Sequence, residues 1–178
     1  MICIKMQNQK SNQYFCIMEF SSASKIWIYQ SDRELNETEI VRLQQLLHQF
    51  TSSWTAHNQQ LKAAAQIIYN RFIVLLVDEN QAGASGCSID KSVHFMKDLE
   101  QEFNINLFDR FNTAYFDGDK LLTANREEFE KLLKEGKVNN ETIVFNNMVA
   151  TLDDLQTQWQ VPLKHSWHAR VFGNLVQA

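Results

Sequence analysis

The stretch Ser85-Gly-Cys-Ser-Ile-Asp90 combines residue types that can do chemistry with a place where they could act. It opens an amphipathic pattern, and the first turn of a helix presents unpaired N–H groups and a positive dipole end that receive an anion or lower the pKa of a thiol. Cys87 is therefore the candidate nucleophile. A thiol needs a base to take its proton, and His57 is the natural choice, with His165 or His168 as alternatives if the C-terminal segment folds back. Ser85, Gly86, Ser88 and Asp90 become candidate ligand contacts. The plainer reading of the same residues is a serine cap with Cys87 as a small hydrophobe beside it.

Three other groupings compete with this one. Phe72-Ile-Val-Leu-Leu-Val-Asp-Glu79 has the apolar run and acidic pair of a Walker B strand, in which Asp78 would hold Mg²⁺. That chemistry also needs a phosphate loop, and Gly86-Cys-Ser-Ile-Asp-Lys-Ser92 places Asp90 where glycine is required. A strand ending in solvated acids explains the run equally well. His165-x-x-His168 has metal-ligand spacing, but a single pair sets no coordination sphere, and neither a metal nor any cofactor is expected. Trp54 reads as an aromatic anchor beside His57, and Arg110 as a partner for an acidic group or a ligand carboxylate.

Composition narrows the field. Of 178 residues only five are Gly and one is Pro, so no G-x-G-x-x-G and no G-x-x-x-x-G-K-[ST] can be written anywhere. In a chain so sparing of glycine, Gly83 and Gly86, both leading into Cys87, mark the loop where unusual backbone geometry is expected. The net charge is −4, with no basic stripe to neutralise phosphates or anionic lipid, so neither nucleic acid nor membrane is expected as a partner. The longest apolar run, Phe72 to Val77, is far too short to span a bilayer. Three cysteines without C-x-x-C spacing suit reduced thiols in a cytoplasm. Residues 1–24 read as an N-terminal extension, with Met18 an alternative start and Gln13 to Glu19 an alternative short strand.

The elements that must position these residues follow from periodicity. Lys25 to Gln30 reads as a strand, and Asn36-Glu-Thr-Glu39 caps a helix carrying Ile40, Leu43, Leu46, Leu47 and Phe50. After a polar break at Thr55 to Gln60, Leu61 to Asn70 reads as a strand, although Ala63-Ala-Ala65 leaves a helix open. Phe72 to Val77 reads as a central strand, and Val93, Met96, Leu99 and Phe103 as a second helix. Phe111 to Phe116 then turns at Asp117-Gly118 into Lys120 to Thr123.

This order predicts an α+β fold with a ferredoxin-like βαββαβ core over 25–123. A C-terminal subdomain over 124–178 adds helices at Arg126 to Lys134 and Thr151 to Trp159 and a strand at Thr142 to Asn146, all within one domain. Connectivity alone then gathers Trp54, His57, Asp78, Cys87, Ser88, Asp90 and Asp117 at one end of the sheet.

Trp27-Ile-Tyr-Gln30, Trp54-Thr-Ala-His57, Ser85-Gly-Cys-Ser-Ile-Asp-Lys91, Phe108-Asp-Arg110 and Ser166-Trp-His168 together resemble an uncharacterised family of small bacterial cytoplasmic proteins. Members of it are sometimes labelled ABC transporter ATPases, although this chain has neither a Walker A loop nor an L-S-G-G-Q signature. The resemblance implies a cytoplasmic protein and transfers no catalytic residue. The expected function is a soluble binding or regulatory module taking a small anionic ligand or a partner protein at the His57/Cys87 edge. The alternative is a thiol-dependent enzyme, and an ATPase stands third.

Overall fold

The computed structural model describes residues 20–80, 82–173 and 175. The expectations for Met18 and Gln13 to Glu19, like Cys3 and Cys16, lie outside them. The fold is α+β, with antiparallel sheets, and the chain forms two compact units. The first takes the described residues up to Phe108 together with Ala150–Gln156; the second takes Asp109–Val149 and the described residues from Thr157 onward.

In the first unit, β1 (Lys25–Gln30), β4 (Lys62–Ile68) and β5 (Phe72–Asp78) form a sheet of order β1-β5-β4. All seven residues of β5 are buried, as its unbroken apolar run requires of a strand covered on both faces. Trp27, Tyr29, Ala63, Ala65, Ile67, Ile73, Leu75 and Val77 share one face of the sheet, and α1 (Glu37–Ser53) and α2 (Gly86–Phe103) bury Leu43, Leu47, Met96, Leu99 and Phe103 in the same core. Each such side chain removed from water contributes about 2 kcal/mol. Helix α1 starts where Asn36 and Glu39 cap each other reciprocally. Helix α2 ends at Asn104, whose left-handed backbone the short amide side chain tolerates.

The polar break at Thr55 to Gln60 is a small hairpin, β2 (Thr55–Ala56) and β3 (Gln59–Gln60). His57 and Asn58 at its tip both have positive φ, 49° and 63°, as a two-residue type I′ turn demands.

The predicted four-stranded sheet is not formed as drawn. The expected fourth strand is β6 (Thr113–Asp117), and it belongs to the second unit, where it lies in the sheet β7-β6-β8-β9 with β7 (Lys120–Ala124), β8 (Ile143–Phe145) and β9 (Gln160–Pro162). Its pairing of Tyr115 with Val144, and the edge-on contact of Tyr115 with Phe129 of α3 (Arg126–Lys134), hold it there. The first unit's long segment ends at Phe108, before the first residue of β6. Beside β1 the fourth position is taken by a single antiparallel bridge, Lys25 to Thr151, flanked by Ile26 N–H donating to the Ala150 carbonyl at 3.0 Å. A short helix, α4 (Leu152–Thr157), follows this bridge.

The second unit buries Tyr115, Phe129, Leu133, Val144, Leu163 and Phe172 together. Gly118 turns the β6–β7 hairpin with φ 57°, and Gly136, at φ 69°, closes α3. Its C-terminal part runs through a 3-10 turn, Leu163–His165, into α5 (His168–Val171).

Candidate functional site

The start of α2 is built by serines. Ser85 and Ser88 cap each other: the Ser88 N–H donates to Ser85 Oγ at 3.3 Å and the Ser85 N–H to Ser88 Oγ at 2.8 Å. Gly86 and Cys87 are the first two helical residues, both exposed, and the Cys87 thiol is free. Asp90, one turn on, is exposed as well, with its carbonyl 2.8 Å from His94 Nδ1. Among the described residues of this loop the expected backbone peculiarity is not found. Neither Gly83 nor Gly86 has positive φ, and a side chain at Gly86 would meet nothing within 4 Å. Left-handed backbone is carried instead by His57, Asn58, Tyr69, Asn70 and Asn104 among the non-glycine residues.

Trp54 pins this helix start to the rest of the first unit. Its indole N–H donates to the Ser88 carbonyl at 2.8 Å, its own carbonyl accepts from the Leu61 N–H at 3.0 Å, and its ring packs edge-on against Trp27 and beside Phe50. Trp54, the hairpin bearing His57 and the first turn of α2 are therefore drawn together, and β2 packs against α2. His57 itself is exposed at the hairpin tip, and no hydrogen bond joins it to Cys87 among the described residues.

The acidic pair parts at the end of β5, Asp78 as its last residue and Glu79 in the turn that follows. Val77 points into the helix-covered core, so Asp78 points to the opposite side, across from Lys62. Its carboxylate accepts from Lys62 Nζ at 3.0 Å and from the Asn80 N–H at 3.2 Å. Burial alone would raise the pKa of Asp78, but the Lys62 ammonium and the backbone N–H groups of Asn80 and Ser21 outweigh it and hold the carboxyl below its ordinary range. Glu79 is bonded to Lys25 at 2.9 Å and caps the Ala84 N–H at 3.0 Å. Both acids are thus engaged in holding the β5–α2 connection. Arg110 and Asp117 are exposed residues that belong to the second unit.

The histidine pair is also divided. His165 is exposed in the 3-10 turn, whereas His168 is buried in α5, its ring stacked on Trp167 at 4.0 Å and its Nδ1 3.1 Å from Ser166 Oγ. Burial pushes its pKa down to about 4. Among the described residues no three His, Cys, Asp or Glu side chains form a group able to hold a metal ion, and no helix is long and apolar enough to cross a membrane.

The feature that residue typing missed is a groove of about 650 Å³ between α1 and β4, lined among others by Gln44, His48, Thr51, Gln60, Ala64 and Gln66. β4 is an edge strand, and beyond its ladder with β5 the backbone of Ala63–Gln66 has no partner among the described residues. The sequence signal was present in Ala63-Ala-Ala-Gln66, a strand segment with no charge and no proline. Comparison with known proteins adds no relative: no family model matches the chain, and no curated protein or solved structure matches it significantly.

Proposed function

We propose that this chain is a protein-binding module in which an extended segment of a partner polypeptide adds to the edge of β4 and lays its side chains into the groove beside α1. Among the described residues β4 pairs on one side only, with β5, and this open side carries the reading, because a strand edge is a template for another strand and the groove beside it supplies room for side chains. The partner branch of the expected function is thereby moved from the His57/Cys87 edge to the far side of Gln60 and Leu61. The order β1-β5-β4, with Thr151 bridging to β1, supports reading the first unit as a ferredoxin-like arrangement whose fourth strand is reduced to that bridge. A photo-crosslinking amino acid placed at Gln66 in cells tests the reading. A covalent adduct with a polypeptide is expected at Gln66 and not at exposed Lys134, and the absence of any adduct overturns it.

A second reading is supported by the exposed thiol of Cys87 at the second position of an eighteen-residue helix. In it the Cys87 sulfur bonds to the carbonyl carbon of an acyl ester or amide, His57 takes the thiol proton and returns it to the alcohol or amine that leaves as its bond to that carbon breaks, and an anionic substrate group meets the N–H groups of Gly86 and Cys87. Alkylation by iodoacetamide near neutral pH, markedly faster than that of a cysteine in an unstructured peptide and slowed by His57→Gln, is the required result. An ordinary rate indifferent to His57 sinks it. The ATPase reading has no comparable support, since Asp78 is engaged by Lys62 on the sheet face away from α2.

A further inference from the structure

We draw no further inference here: the strongest candidate, the groove between α1 and the open side of β4, belongs to the site already described, and among the described residues, of which Phe20 at their start already lines it, nothing shows what covers it.

Discussion

The indole N–H of Trp54 donates to the carbonyl of Ser88, thirty-four positions along the chain, in a buried hydrogen bond of 2.8 Å. Trp54 also ends α1, and its own carbonyl accepts from Leu61 as the chain leaves the β2–β3 hairpin for β4. One side chain thus fixes the end of the first helix, the base of the hairpin and the first turn of the second helix. Cys87 owes its position to that bond, whatever chemistry it performs.

Trp54→Phe removes this donor and keeps most of the ring. Stability should fall by about 1 to 2 kcal/mol, from the lost hydrogen bond and the smaller ring, and exchange of the first α2 amides should accelerate. Thermal melting with hydrogen exchange reads both. Unchanged exchange at Gly86 to Ser88 would mean that Trp54 acts through packing alone.

Asp78 ties its stability contribution to pH. Its folded pKa lies below the unfolded value, so its contribution is complete above the ordinary carboxylate range and is lost as pH falls through the folded pKa. Asp78→Asn should therefore cost about 1 to 3 kcal/mol at pH 7, by loss of a charge-assisted bond to Lys62, and progressively less toward pH 3. Melting temperatures of the two proteins across that interval should converge. A constant difference would show that the aspartate acts by shape.

The parts of the fold legible in the sequence are those that local chemistry determines. Asn36 with Glu39 marks the start of α1, Ile40 through Phe50 supply its buried face, and the run from Phe72 identifies β5 as a strand. What local pattern leaves out is partnership. Thr113–Asp117 reads as a strand in isolation, but only long-range contacts such as Tyr115 with Val144 decide which sheet receives it. Two-residue strands have no periodicity to read, so β2 and β3 read as a polar break, and their type I′ turn uses His and Asn rather than the glycine usual there. The site suffered from the same limits. Ser85 caps a helix whose second residue is Cys87, a start that can be read locally because capping is local. The alternation that puts Val77 in the helix-covered core sends Asp78 away from them.

The backbone of His57 gives its side chain a competing explanation. At φ 49° a β-branched residue is strained by about 1 to 2 kcal/mol, whereas Asn or Gly is tolerated. His57→Val should lower the melting temperature, His57→Asn should not, and Asn58→Gly, at φ 63°, should be neutral or stabilising. If His57→Asn also leaves the alkylation rate of Cys87 unchanged, the imidazole serves the turn and not the thiol.

His168 makes the second unit sensitive to mild acid. Buried beside Trp167, it is held neutral, with its pKa lowered from 6.5 to about 4. The unfolded chain binds a proton there between those values and the folded chain does not, so stability is complete above pH 6.5 and declines as pH falls toward 4. A shift of this size corresponds to roughly 3 kcal/mol. His168→Leu cannot titrate, and its melting temperature should change less than that of the parent between pH 6.5 and 4. Because Trp167 stacks on the imidazole at 4.0 Å, protonation should also alter indole fluorescence with the same midpoint in the parent and not in the variant. Parallel pH profiles for the two proteins would place the acid sensitivity elsewhere in the chain.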